Sequence, residues 1–115
     1  MRIAISSQNF RTITSHAGKS RRFMLFDIDA DSTITERERL ELPKGMSLHD
    51  TGGPHHPLFE QGLTHFLTGS AGERFVERMA AQGIEVIQTS ATDIPEALKT
   101  LAAGQPLPPA APHEH

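Results

Sequence analysis

The sequence predicts a three-layer α/β/α domain built on a five-stranded mixed sheet. Three observations carry that prediction. Two short apolar runs, 2–7 (RIAISS) and 22–29 (RFMLFDID), follow each other with no helical segment between them. Apolar stripes at helical spacing then alternate with two further short runs in the second half. Cap and turn residues fall at the joints between these segments. A length of 115 residues suits one compact domain. We place it at 1–104 and expect the Pro-rich tail, 105–115, to be disordered.

The run 2–7 reads as a short buried strand. In 22–29, Phe23 and Leu25 point to one face and Met24, Phe26 and Ile28 to the other, so both faces of this second strand are covered. The turn DADS (29–32) consists of residues that bond their own backbone. The segment 33–42 (TITERERLEL) reads as a charged strand, and charge along a strand marks a sheet edge. Rich in Gly and Pro, 43–57 is a long loop leading into a short helix near 58–62, followed by a strand at 64–68 (THFLT).

Ser70 and Glu73 then form an S-x-x-E capping box. Phe75, Val76, Met79 and Ala80 make the apolar stripe of that helix, and Gly83 ends it. The last strand is 84–88 (IEVIQ). Asp93 with Glu96 is a second cap pair; Ile94, Ala97, Leu98 and Leu101 share one face, and Gly104 stops the final helix. A hairpin followed by βαβ units gives strand order 3-2-1-4-5, with the second strand antiparallel and helices on both sides. A crevice then opens at the carboxyl ends of strands one and four, where ligands bind in such sheets.

Composition excludes several functions. Lys+Arg number 11 and Asp+Glu 14, a net charge of −3, which gives no general attraction to nucleic acid or to an anionic membrane surface. No apolar run approaches the ~20 residues of a membrane span, and the N-terminus has no signal-peptide pattern. The expected location is cytoplasmic. With no cysteine, the chain has no disulfide, thiol nucleophile or thiolate metal site, which leaves its seven histidines as metal ligands.

Three segments converge on the expected crevice: Ser6, Ser7, Gln8 and then His16; the turn Thr68-Gly69-Ser70-Ala71-Gly72; and the loop with His49, His55 and His56. Backbone N–H groups at 70–72 open a helix and attract anions. The sheet is similar to ribonuclease-H-like sheets, but the first strand, Ile3-Ala4-Ile5-Ser6, lacks the carboxylate that two-metal nuclease chemistry requires. There is no G-x-S-x-G elbow and no P-loop, and Gly18-Lys19-Ser20 lacks the upstream glycine of one. No zinc-type histidine spacing occurs. Read from the residues alone, His16 is a solvated loop histidine beside Gly18 and Lys19.

The order of these segments resembles the dinitrogenase iron–molybdenum cofactor biosynthesis family. The resemblance rests on Met1–Ile5 (MRIAI), His16-Ala17-Gly18-Lys19-Ser20 as a His-x-G-[RK]-[AS] loop, and a strand ending at Asp27. It continues through 66–72, a helix from Glu73, Gly83-Ile84-Glu85-Val86 and the closing ALKTLAAG, and so spans nearly all of 1–104. It implies a ribonuclease-H-like fold and a non-enzymatic carrier of an iron–sulfur or iron–molybdenum cofactor precursor in nitrogen fixation, working with cofactor-assembly or acceptor proteins. The residue it implicates as cluster and metal ligand is His16. Gly18, Lys19, Ser7, Gln8, Gly69 and Ser70 complete the expected site, with Arg21 and the 70–72 helix terminus complementing an anionic cluster. Two other readings stay open: a cluster-free adaptor or homo-oligomer pairing through the charged strand 33–42, and a small metal-dependent hydrolase using His16 with the loop histidines.

Overall fold

The computed structural model describes residues 1–15, 17, 20–42 and 61–109. Its elements are β1 (Arg2–Ser6), β2 (Arg22–Ile28), β3 (Ile34–Glu41), β4 (His65–Thr68), α1 (Glu73–Ala80), β5 (Glu85–Gln88) and α2 (Ile94–Ala102). They build one five-stranded sheet in the order β3-β2-β1-β4-β5. β1 pairs antiparallel with β2 and parallel with β4, and β4 pairs parallel with β5. Strand order and direction are those expected from the sequence. The short helix expected near 58–62 falls largely outside the described residues.

The alternation in β2 divides the core into two layers. Phe23 and Leu25 join Ala4, Phe66, Phe75 and Met79 under α1. Met24, Phe26 and Ile28 join Ile3, Ile5, Leu67, Ile94 and Leu98 under α2. On the α1 side, Phe66 of β4 meets Phe23 at 5.8 Å and Phe75 at 5.1 Å between ring centroids, both edge-on. Such pairs contribute about 0.5–1.5 kcal/mol beyond their burial. The stripe of α1 is narrower than expected: Phe75 and Met79 are buried, Val76 is half-buried and Ala80 is exposed, because an eight-residue helix seats only two turns on the sheet.

Both helices stop where glycine was expected to stop them. Gly83 and Gly104 have φ of +75° and +71°, the left-handed region. After α1, Ile84 N–H donates to Met79 O and Gly83 N–H to Ala80 O; after α2, Gln105 N–H donates to Thr100 O and Gly104 N–H to Leu101 O. This nested pair is the Schellman termination. The helix starts differ from expectation. Ser70 does not cap α1; Gly72 does, with no side-chain bond, and α1 begins at Glu73. Asp93 is the cap residue of α2 but likewise makes no side-chain cap bond, and its backbone bridges to Thr12 instead.

β3 is the exposed edge, and one inserted residue sets its chemistry. Leu25 faces Glu38 while its neighbour Phe26 faces Glu36, so Arg37 is the extra residue of a β-bulge. The insertion puts Glu36 and Arg39 on the same face, paired at 2.9 Å. Arg37 turns to the other face and meets Asp27 at 2.8 Å. Asp27 also accepts Arg2 Nε at 2.9 Å. At the start of the hairpin, Asp29 Oδ1 accepts the N–H groups of Asp31 and Thr33, the self-bonded turn that the sequence predicted.

The described part of the Pro-rich segment is anchored. Leu107 packs partly against the α2 layer, and Thr89 Oγ1 donates to Pro108 O at 2.6 Å. The rest of the expected tail, 110–115, lies outside the described residues.

The hydrogen bonds from Arg37 and then Arg2 hold the Asp27 carboxyl below the usual carboxylate range. A carboxylate with a lowered folded-state pKa contributes stability above its unfolded value, about 3.9, and loses it as pH falls through the folded value. Asp27→Asn is therefore expected to lower the urea midpoint at neutral pH, with the difference from the parent shrinking as pH drops below about 4. A difference independent of pH would contradict this role.

Candidate functional site

β1 and β4 run parallel and end side by side at Ser6 and Thr68, both fully buried. Their hydroxyls need internal partners. The loop after β1 supplies them. Ser6 Oγ lies 2.6 Å from the Thr14 carbonyl oxygen and 2.8 Å from Thr68 Oγ1. Thr68 Oγ1 lies 3.1 Å from the Thr14 carbonyl and 3.2 Å from that of Ser70. Two hydroxyl protons thus serve one connected set. Backbone bonds reinforce it: Thr14 N–H donates to Ser6 O at 2.8 Å, and Gly69 N–H to Thr14 O at 3.0 Å.

The loop therefore folds back over the strand ends and lies on the turn after β4. Ala17 N–H donates to Ser70 O at 3.1 Å. Ser15 lies against Gly69: a Cβ placed there would fall 2.7 Å from Ser15 Oγ and 3.4 Å from its Cα, so a larger residue would make the serine side chain turn away. Upstream, Asn9 Oδ1 accepts the N–H groups of Arg11 and Thr12, and Ser7 Oγ donates to Thr12 O at 2.7 Å. Gln8 N–H donates to Thr14 Oγ1, and the Gln8 carbonyl accepts from Arg22. Ile13 N–H donates to Thr92 O, tying the loop to the approach of α2.

The helix terminus differs from the expected anion site. The Ser70 carbonyl is already occupied by Ala17 and Thr68, so residue 70 belongs to the turn, and α1 begins three residues later. Ala71 N–H donates to Gln88 Oε1 at 3.0 Å and is not offered to a ligand. Glu73, in the first turn, places an acid against the positive end of the helix.

Of the expected site residues, the structure brings Gly69 and Ser70 together with the loop and gives Ser7 and Gln8 roles in holding that loop's shape. His16, Gly18 and Lys19 lie outside the described residues, as do His49, His55 and His56. His65 is at the opposite end of β4, 3.2 Å from Glu85. Among the described residues no group of three His, Asp or Glu is arranged to hold a metal ion, and no helix is long and apolar enough to cross a membrane. Sequence reasoning missed Thr14 and Gln88, and placed Thr68 in the turn without giving its hydroxyl a role. The available signal was a hydroxyl residue ending each of two apolar parallel strands.

A family model described as "Dinitrogenase iron-molybdenum cofactor" matches residues 1–104. The chain belongs to this family. The crystal structure of PH0822 is similar over 91% of this chain and 93% of that one, at 25% identity and a TM-score of 0.73. Two more distant likenesses show the shared fold. A candidate dinitrogenase from Methanocaldococcus jannaschii has 12% identity, covers 90% and 89% of the two chains, and has a TM-score of 0.65. The apo form of the orange protein from Desulfovibrio gigas has 21% identity, covers 98% and 96%, and has a TM-score of 0.65. No curated protein sequence gives a significant match.

Within this family member, the described crevice is a scaffold of hydroxyls and backbone groups. Thr68→Val keeps the shape of the side chain but removes the hydroxyl that joins Ser6, Thr14 and Ser70. Leaving buried carbonyls short of a donor costs about 1–3 kcal/mol. The expected outcome is an unfolding free energy, from urea titration, lowered by that amount, with faster amide exchange at Thr14, Ala17 and Gly69 than elsewhere in the sheet. Uniformly faster exchange would show that Thr68 has no special tie to the loop.

Proposed function

We propose that this protein is a non-enzymatic carrier of an anionic iron–sulfur or iron–molybdenum-type cluster, held transiently through His16. Family membership supplies the cargo class. One structural observation supports the position: the chain neighbours of His16, Ser15 and Ala17, are both held on the Gly69–Ser70 turn at the carboxyl ends of β1 and β4. That is where open α/β sheets receive ligands.

The donor chemistry fits a carrier. A chain without cysteine supplies no thiolate. A cluster that brings its own sulfides needs only an imidazole and hydrogen-bond donors from the protein. One imidazole is a weaker hold than a set of four thiolates, which suits handing the cluster on. On this reading Gly18 belongs to the site, Lys19 and Arg21 supply positive charge, and Ser7, Gln8, Gly69 and Ser70 shape the floor. The protein would work in the cytoplasm between cofactor-assembly and acceptor proteins.

The adaptor reading has weaker support. A bulged edge whose charges are already paired internally resists a second strand. The hydrolase reading gains no catalytic set among the described residues.

Anaerobic loading with iron and sulfide, or with a synthetic cluster donor, tests the proposal. Wild-type protein is expected to retain stoichiometric iron with visible charge-transfer absorption. His16→Ala is expected to lose at least about 10–100-fold in affinity while keeping its urea midpoint. Equal loading by the variant, or none by the wild type, overturns the role of His16.

A further inference from the structure

We infer that the cleft between α2 and the β2–β3 face is a binding site for a small apolar carboxylate, whose tail enters among core side chains and whose head meets Arg11. The cleft encloses about 380 Å³ and is floored by Met24, Phe26, Ile34, Ile94 and Leu98. That volume is in the range of small-molecule pockets, and apolar walls with a few polar groups at the mouth are their usual make-up. The cleft exists because the nine-residue α2 covers the α2 face of the sheet but leaves the β3 side, at Ile34, unfilled.

The charges at its mouth favour an anion. The guanidinium of Arg11 has no ion-pair or hydrogen-bond partner among the described residues. Lys99 stands on the same rim, paired only loosely with Glu96 at 4.0 Å, both side chains being 71% exposed. The acid in the lining, Glu36, is taken by Arg39 at 2.9 Å. What remains toward the cleft is positive, and a guanidinium fork matches a carboxylate in shape. The N-terminal residues Ile94 and Pro95 of α2 add the positive end of the helix dipole on that side.

Backbone geometry marks the same place. Phe10 lines the cleft with φ of +56°, a conformation that bulky residues adopt only under constraint from their surroundings and that is concentrated at binding sites. The guanidinium groups of Arg22 and Arg39 lie over its ring, at 5.7 and 5.6 Å from the centroid. The pair holds the ring at the wall, and the turned backbone sends Arg11, the next residue, to the mouth. Ser7, Gln8, Gly69 and Ser70 do not line this cleft, so the inference does not depend on cluster binding at His16.

Titration of the full chain with decanoate, decan-1-ol and decylamine, read by amide NMR shifts and kept below micelle formation, tests it. Decanoate is expected to give saturable shifts at Phe10, Ile94 and Leu98. Decanol is expected to bind about five-fold more weakly, and Arg11→Gln to bring decanoate down to the alcohol's affinity, the effect of one exposed charge pair. Decylamine should bind no better than decanol. Ile34→Trp should block the cleft, and if that variant does not fold, Arg11→Gln decides alone. Absence of saturable shifts, equal affinity for acid and alcohol, or indifference to Arg11→Gln overturns the inference. So do cleft signals that respond instead to protein concentration or to removal of 110–115, which would assign the cleft to a second copy or to the chain's own end.

Discussion

Ser6 and Thr68 stand at the buried ends of two parallel strands, where no water reaches their hydroxyls. The rest of the crevice follows from meeting that requirement. A carbonyl has to come to them, and the nearest chain is the loop leaving β1. Thr14 is drawn in, its carbonyl also accepts Gly69 N–H, and the two strand ends become one unit. Thr68 reaches on to the Ser70 carbonyl, which Ala17 also uses. Residue 70 is then no longer available to begin a helix, and α1 starts at Glu73. A pair of hydroxyls thus sets both the seat of the loop and the start of the helix.

A second constraint acts at the far edge. In a regular strand without the bulge at Arg37, Glu36 and Arg39 would project from opposite faces of β3, and Arg37 would not reach Asp27. The bulge places Arg39 on the α2 face, where its guanidinium covers Phe10. An edge feature that discourages strand addition therefore also holds one wall of the cleft. The contact between Arg39 and Phe10 thus joins β3 to the loop after β1.

The fold was legible because its signals are redundant. Alternation in 22–28 assigns Phe23 and Leu25 to one layer and Met24, Phe26 and Ile28 to the other, and chain connectivity leaves few orders for the strands. The glycine stops were legible because positive φ excludes most other residues. The helix starts were not. Ser70-x-x-Glu73 is a valid capping pattern, but local propensity lost to a tertiary demand for the Ser70 carbonyl. Asp93 lost its cap bond in a segment whose backbone pairs with Thr12. The bulge was hidden because Glu36-Arg37-Glu38-Arg39 alternates in sign whichever residue is inserted. For the candidate site, pattern reading pointed to the carboxyl ends of β1 and β4 but could not rank the serines there, since Ser6 and Ser7 differ only in which carbonyl each one meets.

How the loop is held bears on what it could carry. Among the described residues, the loop is attached through Thr14, to Ser6, Thr68 and Gly69, and through Ala17, to Ser70. On the proposed reading, that arrangement suits a cargo whose bulk is sulfide and metal and whose bond to the protein is a single imidazole. The described polar groups of the crevice spend their hydrogen bonds on the loop and the turn, and so they position that segment over the ends of β1 and β4.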